Sequence, residues 1–192
     1  MNTASGYVKN YFQILTGTQV SYEGNNGLDL NEGIESAIAI IKEQTDSGKK
    51  LIFIGNGGSA GIASHSAVDY WRNGKMRAVA FNDGALLTCI GNDFGYERVF
   101  EKPVRMFADK GDVLIAISSS GKSENILRGV DAGRDTGCRV ITLSGFSGEN
   151  PLRKKGDLNF YIPSDHYGFV EMGHQLIIHA VLDLIMVRSN ER

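Results

Sequence analysis

The chain has 192 residues, 42% of them hydrophobic, and a formal net charge of −2 from 20 basic and 22 acidic side chains. This predicts one folded domain with a real core, excludes a disordered chain, and leaves no electrostatic footprint for nucleic acid. The two cysteines, Cys89 and Cys138, lie outside any CxxC pair, which argues against a disulfide framework or a thiolate zinc site and fits a reducing cytosol.

In chain order, residues 5–20 read as an amphipathic helix, with Tyr7, Tyr11, Phe12 and Leu15 at helical spacing. The N-terminus has no continuous apolar core and no cleavage signal, and no run of about 18 apolar residues follows, so a cytoplasmic protein with no membrane span is expected. Residues 21–29 read as a loop, and a second helix runs from about Leu30 to Thr45 with Ile34, Ile38 and Ile41 on one side. From there strands and helices alternate. Strands are expected at 50–55, 76–83, 138–145 and 158–164, and a strand running into a loop at 111–121. Helices are expected from Ser59, briefly after Asp83, from Ser123 to Thr136, and from Phe169 to Arg188. Strands that are apolar throughout and alternate with helices predict an α/β domain: a doubly wound, three-layer α/β/α sandwich on a five-stranded parallel sheet. Residues 1–192 form one domain on this reading, with N-terminal helices over about 1–48 and the α/β core over 49–192.

Two small-residue loops follow strands directly and so belong on the ligand side of the sheet. The first is Gly55-Asn56-Gly57-Gly58-Ser59. Glycines let backbone approach an anion, and the next helix begins with free N–H groups and a positive dipole end. With Ala60 it also matches GxGxxA, and Asp83 imitates a ribose-binding acid, but that dinucleotide motif alone is weak. The second loop is Ser118-Ser119-Ser120-Gly121-Lys122-Ser123. Its GKS ending suggests a P-loop, yet Ala116 stands where a P-loop needs glycine. Four hydroxyls around one glycine at a helix start suit a phosphate monoester better.

The candidate chemical groups are His65 and Asp69, at i,i+4 on one helix face, and Glu171, Gln175 and His179 on the last helix. Counted around the helix, Glu171 and His179 lie within about 80° of each other, whereas His174 points about 140° away from His179. Imidazoles and carboxylates at these spacings bind a divalent metal or act as acid and base. A plain ion pair explains His65 and Asp69 equally well from spacing alone.

At GNGGSAGIASH, IGNDFG, AISSSGKS and the EMGHQLIIH helix, the sequence resembles the phosphoheptose isomerases, which are sedoheptulose 7-phosphate isomerases of the sugar isomerase (SIS) fold. The resemblance covers nearly the whole chain from about residue 30. It implies a flavodoxin-like domain, a homotetramer with active sites between subunits, a zinc ion, and the isomerisation that opens the heptose nucleotide pathway for lipopolysaccharide, capsule or S-layer sugars. It also gives the N-terminal helices an oligomerisation role. By position, the family's substrate loop falls on Asn56, Gly57 and Gly58, its ND pair on Asn92 and Asp93, and its phosphate-binding serines on Ser118, Ser119, Ser120 and Ser123. Its metal-binding histidines match His65 and His179. Two positions depart: the family's glutamate, metal ligand and general base, is Asp69 here, and its glutamine is Glu171. The resemblance thus implies His65, Asp69, Glu171 and His179 as the metal set, and His179 with a carboxylate, first Asp69 and then Glu171, as the catalytic set. Competing readings are an isomerase of a different phosphosugar, a non-catalytic binding protein, since relatives of this fold bind the bacterial replication initiator, and a sugar-phosphate sensor. Polar groups at all four site positions favour the enzyme.

Overall fold

A computed structural model describes residues 2–22 and 25–190. The elements are α1 (Ala4–Thr16), β1 (Gln19–Tyr22), β2 (Asn25–Leu28), α2 (Leu30–Asp46), β3 (Leu51–Gly55), α3 (Gly58–Arg72), β4 (Ala78–Ala80) and α4 (Gly84–Phe94). A 3-10 turn (Tyr96–Arg98) leads to α5 (Glu101–Phe107), β5 (Val113–Ser118), α6 (Glu124–Thr136), β6 (Arg139–Ser144), a second 3-10 turn (Pro151–Lys154), β7 (Leu158–Tyr161) and α7 (Tyr167–Asn190).

Every residue of β3 and β5 is buried, as strands covered on both faces require. Alternate residues enter opposite layers. Leu51, Phe53, Ile115 and Ile117 pack with side chains of α2, α3 and α7, whereas Ile52, Ile54, Leu114 and Ala116 pack with α4, α5 and α6. Each large side chain so buried stabilises the fold by about 1.5–3 kcal/mol relative to exposure. The start of α2 is fixed locally by a capping box: Glu32 N–H donates to Asp29 Oδ1 at 2.8 Å, and Asp29 N–H donates to Glu32 Oε2 at 2.8 Å.

The sheet has seven strands in the order β2-β1-β7-β6-β5-β3-β4. The five expected strands are β3 to β7, all parallel. Across the sheet they lie in the order β4-β3-β5-β6-β7, the flavodoxin-like 2-1-3-4-5 arrangement whose switch point falls between β3 and β5. The other two strands correct the reading of the N-terminal segment. The first helix stops at Thr16, and β1 runs antiparallel to β7, with Val20 opposite Phe160. Much of the expected loop 21–29 is strand in β1 and β2; Glu23 and Gly24 lie outside the described residues. Locally this stretch is rich in Gly and Asn. Its strand character comes from a partner about 140 residues away that buries Val20 to 2% exposure. Helix α5 had no counterpart in the sequence reading.

Helix α7 is long and apolar enough by composition to cross a membrane, yet 44% of its most apolar window is buried inside the domain. Val170, Ile177, Ile178, Val181, Leu182 and Ile185 join one core layer, and Phe169 meets Tyr7 of α1 in a tilted contact at 4.6 Å and Tyr11 in a stacked one at 6.2 Å between ring centroids.

Candidate active site

Both small-residue loops leave the carboxyl ends of strands that flank the switch point, β3 and β5. After β3 the chain turns at Gly57, whose φ of +53° is a conformation that glycine adopts without strain. A Cβ on Gly55 would stand 2.5 Å from the Ser59 carbonyl oxygen, so the turn closes only without one. After β5 the turn comes at Gly121, with φ +61° and the Asn150 side chain packed where its Cβ would be. Asn150, fully buried, is itself fixed: its Nδ2 donates to Ser144 Oγ at 3.2 Å and to the Ser147 carbonyl at 2.8 Å.

Between the loops lies a cavity of about 250 Å³ lined by Asn56, Gly57, Gly58, Ser59, Ile117, Ser118, Ser119, Ser120, Ser123, Tyr167 and Glu171. The N-termini of α3 and α6 begin at these lining loops, where unpaired N–H groups and the dipole favour an anion. The hydroxyls divide into two kinds. Ser118 Oγ accepts from Gly121 N–H at 3.2 Å and Ser120 Oγ from Lys122 N–H at 3.3 Å, which shape the turn and leave both O–H groups free to donate. Ser119 Oγ is buried without a partner, and Ser123 stands at the N-cap of α6 without making a capping bond. A buried orphan hydroxyl costs about 1–3 kcal/mol unless something fills it, and an anion accepting from it would do so.

Asn56 is not free to swing into the cavity. Its Nδ2 donates to Asn125 Oδ1 at 2.8 Å, and Asn125 Nδ2 returns the bond to Asn56 Oδ1 at 2.9 Å. Tyr96 O–H adds a third link to Asn56 Oδ1 at 3.3 Å. The pair ties the first loop to α6. Asn125, Tyr96 and the lining residue Tyr167 were missed from sequence, because an asparagine in a first helical turn or a tyrosine before a helix has no local signature of such a contact.

A second group forms where α3 meets α7. His65 Nε2 lies 3.2 Å and His179 Nε2 3.7 Å from Asp69 Oδ2, and the two imidazole centroids are 5.4 Å apart. One donor atom from each residue fits within a 4.8 Å cluster. Asp69 is mostly covered, with 17% of its side chain exposed, while His65 is open at 58%. Two imidazole nitrogens and one carboxylate oxygen, reachable from solvent, form a donor set that suits a divalent transition metal with open positions.

Glu171 stands outside that trio. It faces the cavity, its carboxylate against Gly58. The angular count that put Glu171 near His179 omits the rise along the helix, about 12 Å over eight residues. Asn92 and Asp93 do not line the cavity either. They are exposed at the end of α4, Asn92 Nδ2 donating to Asp93 Oδ1 at 2.9 Å. His174, predicted to point away from His179, is fully buried, 3.2 Å from the Ser144 carbonyl through Nε2, and burial pushes its pKa down to about 4.

A doubly wound sheet whose switch point carries two glycine- and serine-rich loops, with the Glu171 carboxylate between them, defines an α/β protein with its ligand edge at that switch point. Comparison with known proteins makes this specific. A profile of the SIS domain matches residues 27–145. The phosphoheptose isomerase of Citrifermentans bemidjiense is 36% identical over 163 residues, covering 82% of this chain and 84% of that one. That of Helicobacter hepaticus is 39% identical over 168 residues, covering 84% and 85%. The structure of the phosphoheptose isomerase from Neisseria gonorrhoeae superposes with a TM-score of 0.80 at 31% identity, covering 94% of this chain and 96% of that one. The chain belongs to the SIS domain family and, within it, to the phosphoheptose isomerases, which are aldose–ketose isomerases.

Proposed function

We propose that this protein is a cytoplasmic isomerase converting sedoheptulose 7-phosphate to D-glycero-D-manno-heptose 7-phosphate, the first step towards nucleotide-activated heptose. The observation that carries the reading is the cavity that joins the two glycine- and serine-rich loops to the Glu171 carboxylate. The non-catalytic alternatives are not favoured, because the relatives that match most of the chain are isomerases and the acid–base groups are present.

In this mechanism the phosphate sits between the loops, accepting from Ser118, Ser119, Ser120 and Ser123 and from N–H groups at the starts of α3 and α6. Asn56, Gly57, Gly58 and Ser59 form the opposite wall. The reacting end of the sugar points towards Glu171 and α7. A carboxylate takes a proton from C1 of the ketose while O2 gains one, giving an enediol; C2 then receives a proton while O1 loses one, leaving the aldose. Glu171 suits the carbon proton because it lines the cavity, whereas Asp69 is engaged by two imidazoles. Within one chain His179 lies with His65 and Asp69 and not at the Glu171 cavity, so His179 would move the proton between O1 and O2 from a neighbouring subunit of a tetramer. His65, Asp69 and His179 would hold zinc, with Glu171 available only if the sugar or the helix brings it nearer. A bound zinc ion would supply Lewis-acid polarisation of the sugar oxygens.

We propose further that residues 1–192 act as one SIS domain within a homotetramer whose active sites lie between subunits. The N-terminal helices would serve assembly. Two features support this: Tyr7, Phe12, Trp71 and Met106 are exposed at 44%, 56%, 53% and 76%, and Asn92 and Asp93 stand free of this chain's own cavity. The decisive experiment mixes the protein with sedoheptulose 7-phosphate and zinc and follows the anomeric region by NMR. The expected result is the growth of aldose signals; an unchanged ketose spectrum with phosphate-loop binding intact would reduce the protein to a sugar-phosphate binder.

A further inference from the structure

The two helices that carry the His65–Asp69–His179 cluster are joined by a directional bond beside it. Tyr70, on α3, is 1% exposed, and its O–H donates to the Ile178 carbonyl of α7 at 2.9 Å. Tyr70 follows Asp69 in sequence and Ile178 precedes His179, so the bond sits one residue from each of the two facing side chains. The other links between the helices are largely apolar: Ile62, Ala63 and Ala67 of α3 and Ile177, Val181 and Leu182 of α7 belong to one core layer. Apolar contact is non-directional and tolerates sliding, whereas a hydrogen bond fixes both distance and register. The Tyr70 ring is held in turn by Phe53 of β3, edge-on at 5.4 Å between centroids.

We propose that Tyr70 is a positioning residue: through the Ile178 carbonyl it sets the register of α7 against α3 and so holds His179 in place to complete a divalent-metal site with His65 and Asp69. The proposal rests on the metal reading of that cluster given above. A misplaced ligand weakens metal binding even when the fold survives, because outer partners of metal ligands typically contribute about 10–100-fold in affinity.

The test is a zinc titration of metal-free protein against a chromophoric chelator, with inorganic phosphate binding and thermal unfolding measured alongside. Y70F removes the hydroxyl and keeps the ring; F53L loosens the ring's packing and keeps the hydroxyl. Y70F is expected to weaken zinc binding about 10-fold or more and leave phosphate binding unchanged, while F53L lowers the unfolding temperature but keeps zinc affinity within about threefold of wild type. Tyr70→Met, which also lacks a donor, substitutes for Y70F should that variant not fold. Zinc affinity in the donor-less variant equal to wild type, or lost equally in F53L, overturns the positioning role alone. Failure of the wild-type protein to bind zinc overturns the metal reading and this inference with it.

Discussion

The carboxylate of Glu171 lies against the backbone of Gly58: a Cβ on residue 58 would stand 2.5 Å from Oε1 and 2.7 Å from Oε2. Here the last helix of the chain reaches the first residue of α3, which closes one side of the cavity between the two loops with a carboxylate. Glycine is required at 58 by this approach and not by backbone conformation, since position 57 carries the positive φ.

Gly58→Ala should therefore push Glu171 aside without disturbing the turn. Misplacing a reacting group by about 1 Å costs on the order of 10²-fold in rate. We expect turnover to fall by at least tenfold with the unfolding temperature little changed, checked by kinetics and calorimetry on the same preparation. Full activity in this variant would remove Glu171 from the reaction.

Glu171→Gln keeps the shape and removes the base. The expected loss is about 10²–10⁴-fold in kcat, with KM nearly unchanged. His179→Gln should lose turnover over the same range. Sedimentation of both variants separates loss of chemistry from loss of assembly. If Glu171→Gln turns over within threefold of wild type while Asp69→Asn collapses, the carbon proton belongs to Asp69.

The serine loop makes a graded prediction. Ser119 Oγ is buried without a partner and Ser123 Oγ makes no capping bond that a ligand would have to replace. Ser119→Ala, Ser120→Ala and Ser123→Ala should each weaken binding of inorganic phosphate by about 1.5–3 kcal/mol, the worth of a hydrogen bond to a charged group. Removing the orphan hydroxyl of Ser119 should also leave the unliganded protein as stable as before, or more so. Calorimetric titration with phosphate reads the first effect and thermal unfolding the second; unchanged phosphate affinity in all three variants would move the phosphate elsewhere.

His174 predicts an acid-side loss of stability. Its Nε2 faces the Ser144 carbonyl, which only accepts, so that nitrogen carries the proton and Nδ1 is bare and buried without a partner. Burial lowers its pKa from 6.5 to about 4. The unfolded chain takes up a proton below pH 6.5 that the folded one refuses until about 4, so this residue makes stability fall as pH drops through that window, by up to ~3 kcal/mol. His174→Gln, which can still donate to Ser144, should flatten the profile between those limits. Denaturant titrations at several pH values supply the measurement, and an identical slope in the variant would assign the acid sensitivity to other groups.

Much of this protein was legible in its sequence, because the features concerned are local. The runs Leu51–Gly55 and Val113–Ser118 are apolar throughout, which itself marks parallel strands covered on both faces. Glycines and serines directly after them identify the ligand edge, and the loop order along the chain matches the order of the site. His65 and Asp69 were legible as a pair because four residues on a helix is a contact distance.

What the tertiary structure decided are relations between residues far apart in the chain. Residues 19–22 are strand because β7 offers an edge, residues 25–28 pair in turn on 19–22, and nothing in a Gly- and Asn-rich stretch announces a partner near residue 160. Asn56 is locked by Asn125, and Tyr70 by the Ile178 carbonyl, across sequence separations of 69 and 108 residues. Glu171 and His179 share a helix face but not a site. A helical wheel records angle and discards rise, so only the packing of α7 across α3 could send one side chain to the glycine- and serine-rich loops and the other to His65 and Asp69.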